Sequence, residues 1–120
     1  MTNILIVDDD EAVSEVLTEI VETFGYKAVR ASSAKEAAAA LVKGGIHLIL
    51  LDLSMPEITG DQFLGFIRKH GFKVPVVVVS ANVDPTREAE LRAAGISGVV
   101  RKPFEVGDVI DGMEQALQRK

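Results

Sequence analysis

The run Ile46-His47-Leu48-Ile49-Leu50-Leu51 ends abruptly at Asp52. Its branched apolar residues do not alternate with polar ones. A short apolar run without alternation reads as a strand buried on both faces, which means a parallel sheet covered by helices. In such sheets ligands bind in the crevice beyond the carboxyl ends of the strands, and Asp52 stands at that end. Three other apolar runs finish in the same manner. Ile4-Leu5-Ile6-Val7 ends in Asp8-Asp9-Asp10, Val74-Pro75-Val76-Val77-Val78-Val79 ends in Ser80-Ala81, and Gly98-Val99-Val100-Arg101 ends in Lys102-Pro103. One strand ending in Asp means little, because Asp is common where strands meet loops. Four runs ending in an acidic triplet, a carboxylate, a hydroxyl and an amine are a much sharper signal.

Helical patterns separate these runs. Val13, Val16, Leu17, Ile20, Val21 and Phe24 form one apolar stripe at helical spacing, and Gly25 is the expected stop. Residues 26–31 are a mixed strand, suited to a sheet edge. Ser33-Ala34-Lys35-Glu36 is a capping box for a helix that stops at Gly44-Gly45. Thr59-Gly60-Asp61-Gln62 is a second box, ahead of Phe63, Leu64, Phe66 and Ile67, and Lys69-His70-Gly71 ends that helix. Asp84-Pro85 reads as N-cap and first residue of a fourth helix, ended by Gly95. Its apolar face is thin, mostly Ala with Leu91, so it is expected to be the less firmly anchored. Val106, Val109, Ile110, Met113 and Leu117 give the last helix its face, while Gly107 and Gly112 each weaken it by roughly 1 kcal/mol relative to Ala. Five strand–helix repeats predict an α/β three-layer sandwich with right-handed crossovers. Residues 1–120 read as a single domain, long enough to bury roughly two-thirds of the unfolded surface.

Composition narrows the function. The formal net charge of −5 argues against nucleic-acid or anionic-membrane binding, which favour basic surfaces. Cysteine is absent, so there is no disulfide framework and no thiolate metal site. No cleavable leader pattern opens the chain, and no run approaches the ~18 apolar residues of a membrane span. A soluble, cytoplasmic protein is the expectation.

If the first and third strands are neighbours, Asp8, Asp9 and Asp52 share one crevice. Like charges at that range raise one another's pKa, a cost that a cation removes. The donors are hard oxygens with no His or Cys nearby in sequence, so the ion indicated is Mg²⁺ or similar. Lys102 adds a second positive charge and Ser80 a hydroxyl. These groups suit phosphoryl transfer, which depends on positioning and on neutralising charge at the equatorial oxygens. A carboxylate can itself be the nucleophile and yield an aspartyl-phosphate.

Taken together, Asp8-Asp9, Asp52-Leu53-Ser54-Met55-Pro56 with Gly60, Ser80-Ala81 and Lys102-Pro103-Phe104 resemble the receiver domain of bacterial two-component response regulators. The family includes the single-domain chemotaxis regulator, and the resemblance covers essentially the whole chain. It implies a flavodoxin-like five-stranded parallel sheet of order 2-1-3-4-5 with five helices. It implies Asp52 as phosphoacceptor, with Mg²⁺ held by Asp9, Asp52 and the Ser54 backbone carbonyl, and Asp8 acting largely through water. Lys102 would pair with the phosphoryl group, Ser80 would be the switch hydroxyl, and the Lys102-Pro103 bond would be cis. The partners implied are a histidine kinase or histidine phosphotransfer protein and a downstream effector. The only chemistry catalysed would be the domain's own phosphorylation and dephosphorylation. The chain reads either as a stand-alone regulator or as part of a longer protein.

One position departs from the family. The aromatic switch residue usually found three places before the lysine is replaced by Val99, which has no ring to swing. Activation is therefore expected to move the 80–85 loop and the start of the fourth helix, with little rearrangement at Val99. Other residues have plainer readings. Asp10 reads as an N-cap, His47 as structural, His70 as a helix C-terminal residue, and Met55-Pro56 as loop-shaping. Arg101 should point to the face opposite Lys102. Three rival functions fit the residues less well. A dehalogenase-type enzyme needs an acid where Ser54 stands, as well as a cap domain. A flavodoxin-type cofactor site needs a phosphate loop where the acidic triplet stands. A degenerate receiver would lack the intact acidic and basic set.

Overall fold

The computed structural model describes residues 1–53 and 59–118, and in it each apolar run becomes a strand and each amphipathic run a helix. The strands are β1 (Asn3–Val7), β2 (Lys27–Ala31), β3 (Leu48–Leu51), β4 (Val76–Ser80) and β5 (Gly98–Arg101). They alternate with α1 (Glu11–Thr23), α2 (Ala34–Lys43), α3 (Gly60–Lys69), α4 (Pro85–Ala93) and α5 (Val106–Gln118). All pairings are parallel and the order is β2-β1-β3-β4-β5, so the mixed strand lies at an edge and β3 at the centre. This is the flavodoxin-like sandwich that the resemblance implied.

The pleat divides the core in two. Leu5, Val7, Ile49, Leu51, Val76 and Val78 face α2, α3 and α4, where Phe63, Leu64 and Ile67 meet them. Ile4, Ile6, Leu48, Leu50, Val77 and Val79 face α1 and α5. Strands buried on both sides have no room for polar alternation, which is why their sequence is continuously apolar. β3 begins later than its apolar run. His47 sits ahead of it and fastens the strand entrance: its backbone N–H donates to the Asn3 carbonyl (2.9 Å), and its Nδ1 accepts the Asn3 N–H (3.0 Å). That is the structural role expected of it.

The caps follow the sequence closely. Asp10 accepts from the Ala12 and Val13 N–H groups, and Asp84 accepts from Arg87 N–H at 2.7 Å with Pro85 at the first helical position. Thr59 and Gln62 complete a reciprocal box. At α2 the box is displaced by one residue: Ser33 Oγ accepts from Glu36 N–H, but Glu36 reaches back to the N–H and hydroxyl of Ser32. Gly25, with φ of 89°, takes the left-handed turn that ends α1.

Some apolar residues do not lie where their spacing suggested. Val16 is 46% exposed and Phe24 49%, while Ser14 is buried beside Leu17, Ile20 and Val21. A helix lying on a sheet buries only one stripe, and these two residues fall on its flanks. Val106 is also exposed, being in the first turn of α5 beyond the end of β5, and Val109, Met113 and Ala116 make that helix's contact. Gly112 has a use that propensity hides. A Cβ there would meet Val100 Cγ2 at 3.2 Å, so its absence lets α5 approach β5 closely.

Candidate functional site

Parallel strands all end at one edge, so the topology gathers what each strand carries at its carboxyl end. Asp8 N–H donates to the Ala31 carbonyl (3.1 Å) and Asp52 N–H to the Val7 carbonyl (2.9 Å). These bonds continue the sheet ladder one residue past β1 and β3. They hold the two carboxylates side by side, Asp8 3% and Asp52 6% exposed. Asp9 is exposed and reaches the same place: oxygens of Asp8, Asp9 and Asp52 all lie within 4.8 Å of one another.

One cation answers them among the described residues. Lys102 Nζ is 3.2 Å from Asp8 Oδ2 and 3.7 Å from Asp52 Oδ1. Its backbone N–H donates to the Ser80 carbonyl (3.0 Å), and the bond to Pro103 is cis. Ser80 is buried at the end of β4 on this same edge. Burial pushes the Asp8 carboxyl above its ordinary value. The Asp10 N–H, donating to Asp8 Oδ1 at 2.8 Å, works against that rise; the Asp52 charge adds to it, and Lys102 opposes it. Three carboxylates against one ammonium leave an excess of negative charge in a half-closed crevice. An all-oxygen donor set with that excess fits a divalent hard cation.

The remaining expected residues fall as follows. Asp10 caps α1 and offers the cluster only its backbone N–H. Arg101 turns away from Lys102, donating to the Val83 carbonyl (3.0 Å) and pairing with Glu88 (2.6 Å). His70 lies at the C-cap of α3 with its ring 4.3 Å from that of Phe66. Ser54, Met55 and Pro56 lie outside the described residues. Sequence reasoning missed the cluster of Glu88, Arg92 and Arg101. The Glu88–Arg92 half was legible as an i, i+4 pair, but nothing local marked Arg101.

The family model for the response regulator receiver domain matches residues 4–114. The chain belongs to this family. The response regulator protein FleR of Pseudomonas aeruginosa is 32% identical over 108 residues, which are 90% of this chain and 23% of FleR. The chain spans about half the length of several other curated relatives. The chemotaxis protein CheY4 of Vibrio cholerae superposes with a TM-score of 0.91 at 26% identity, covering 98% of this chain and 99% of that one. The response regulator TrrA of Thermotoga maritima, solved in complex with Mg²⁺–BeF, gives 0.86 at 27% identity, covering 98% of this chain and 100% of that one. A receiver domain of two-component response regulators displaces the dehalogenase-type and flavodoxin-type readings. Among the described residues, no helix of this receiver domain is long and apolar enough to cross a membrane.

Proposed function

We propose that this receiver domain takes a phosphoryl group onto Asp52 from a phospho-histidine donor. The single observation carrying the reading is the cluster of Asp8, Asp9 and Asp52 within 4.8 Å, with Lys102 Nζ against two of its members. An Asp52 carboxylate oxygen forms the new bond to phosphorus, the phosphorus–nitrogen bond of the donor breaks, and the imidazole leaves with a proton. Lys102 already spans Asp8 and Asp52, so its ammonium is in place to pair with a phosphoryl oxygen on Asp52. Ser80 supplies a hydroxyl donor to another oxygen from the end of β4. Asp9, Asp52 and the Ser54 carbonyl would hold Mg²⁺, with Asp8 acting through water. The ion would neutralise charge on the transferred group. TrrA, solved in complex with Mg²⁺–BeF, supports that choice of metal. The donor would be a histidine kinase or a histidine phosphotransfer protein. The domain would catalyse nothing beyond its own phosphorylation and dephosphorylation. Its acidic charge favours a protein effector over direct nucleic-acid contact, and a cytoplasmic site of action is part of the same proposal. The assignments of Asp52, Lys102, Ser80, Asp8, Asp9 and Ser54, and of residues 1–120 as one receiver unit, are parts of the same proposal.

Intact-mass spectrometry after incubation with acetyl phosphate tests it, with and without Mg²⁺. The wild type is expected to gain one phosphoryl group only with the cation, and Asp52→Asn none. Equal labelling of the two proteins would place the acceptor elsewhere.

A further inference from the structure

The Ser80 loop and α4 are tied to β5 by one side chain. Arg101 ends β5, directly before Lys102. Its Nε donates to the carbonyl of Val83, in the loop that carries Ser80 into α4 (3.0 Å). Its Nη2 pairs with Glu88 Oε1, one turn into α4 (2.6 Å). Glu88 Oε2 meanwhile takes Arg92 Nε at 2.9 Å, so one carboxylate is held from both sides. The Lys102 N–H to Ser80 carbonyl bond closes the ring on the backbone.

Apolar packing supplies part of the hold, through the buried Val83 of the loop. Leu91 is the buried residue of α4, and Val99, the position of the family's aromatic residue, is only half-buried. Arg92, Val99 and Arg101 also line an open cleft of about 470 Å³ that β5 shares with α5 and the end of α4. A planar guanidinium suits a double hold because its donors lie in a fixed fork, whereas an ammonium is a point charge.

We infer that Arg101 is a positioning residue that joins the Ser80 loop to α4, so that a shift of the loop toward the acidic site is carried into the helix without an aromatic relay. The inference rests on the reading of Asp52 as phosphoacceptor and Ser80 as its hydroxyl partner. Arg101 touches neither the metal site nor the phosphoryl group. It makes the loop's Val83 carbonyl and α4's Glu88 move together. The pair is partly solvated, with side chains 49% and 25% exposed, so its bonds are weak singly and gain effect by sharing Arg101 and Glu88. In accord with this geometry, hydrogen bonds from Arg101 and then Arg92 hold the Glu88 carboxyl below its ordinary value.

Amide NMR spectra of the whole chain, with and without Mg²⁺ and beryllofluoride, test the inference. In the wild type, amides at the acidic site, in the 80–84 loop and in α4 are expected to shift together. In Arg101→Ala, the site and loop amides still shift and the α4 shifts are lost. Glu88→Ala, at a solvated helix position, loses them too while keeping the Val83 bond. Arg101→Lys restores part of the α4 response, because a lysine reaches one partner at a time. An α4 response in Arg101→Ala equal to that of the wild type, with the site responding normally, overturns the inference alone. Absence of any response at the acidic site in the wild type overturns the phosphoacceptor reading, and this inference with it.

Discussion

α1 and α4 each follow a strand of the same sheet and each begin at an Asp N-cap, yet different forces hold them. α1 has 13 residues and buries Leu17, Ile20 and Val21 along with Ser14, whose hydroxyl accepts from Arg30 Nε at 3.0 Å. α4 has 9 residues and, among the described residues, buries Leu91 alone. Among the described residues its ties to the rest of the molecule include Val83 and Ile96 in the flanking loops and the Glu88–Arg101 ion pair. A fully buried aliphatic side chain is worth roughly 1.5–3 kcal/mol and needs no particular geometry. Surface ion pairs lose most of their strength to solvent and to side-chain ordering, and they break without leaving a cavity. The contrast teaches that apolar burial anchors α1 more firmly than it anchors α4. Moving elements are drawn from the low-stability end.

The most direct way to break this comparison is to delete the same atoms from both helices. Leu17→Ala should lower global stability by about 2–5 kcal/mol, read from urea unfolding. Leu91→Ala should speed hydrogen exchange at the α4 amides first, with a smaller fall in the global midpoint. Equal falls in both variants would mean that the helices are equally anchored.

Mg²⁺ sharpens the comparison from the other side, because the acidic cluster adjoins the start of α1. Binding to the folded state alone stabilises by about 2.7 kcal/mol at a hundredfold excess over Kd. For a domain of this size that is a rise in Tm of roughly 10 °C. Asp9→Ala should abolish the rise, as followed by calorimetry. A retained Mg²⁺ shift in that variant would falsify the metal assignment.

The two caps give a smaller, matched pair. Asp10→Ala and Asp84→Ala each remove a side-chain acceptor from helical N–H groups, a loss of about 1 kcal/mol. The first should appear in the global unfolding midpoint, and the second as local exchange within α4. The reverse pattern would contradict the proposed difference in anchoring.

The smallest effect expected is in pH dependence. Hydrogen bonds from Arg101 and Arg92 lower the Glu88 carboxyl below its ordinary 4.5. A carboxyl lowered in the folded state stabilises the fold above its unfolded value, and that contribution drains away as pH falls through the folded value. Glu88→Ala should therefore lose stability less steeply than the wild type as pH falls below 4.5. Parallel curves would show that the cluster is absent in solution.

Much of this was readable from the chain because it depends on neighbours in sequence. The continuous apolar run of β3 marks a strand covered on both sides, and its Asp marks the carboxyl edge. The caps at Asp10, Thr59 and Asp84 link residues two or three apart, so their spacing carries the whole interaction. The exposed Val16, Phe24 and Val106 show the limit of periodicity: it finds an apolar stripe but not which part of that stripe the sheet covers. The acidic cluster could be foreseen only on the condition that β1 and β3 pair, and the sheet order came from resemblance to a family.

The chain by itself determined the strand–helix alternation, the helix ends and the set of groups at the carboxyl edge, because each follows from local sterics, hydrogen bonding and hydrophobic period. Only the tertiary structure decided that Lys102 meets Asp8, 94 residues away, at 3.2 Å. It alone showed that Gly112 clears a path for α5 and that Arg101, on the face opposite Lys102, holds Val83 and Glu88. These contacts depend on which strands become neighbours and which face each side chain takes. Strand order is settled by burial summed over the whole sheet, to which no local segment has access.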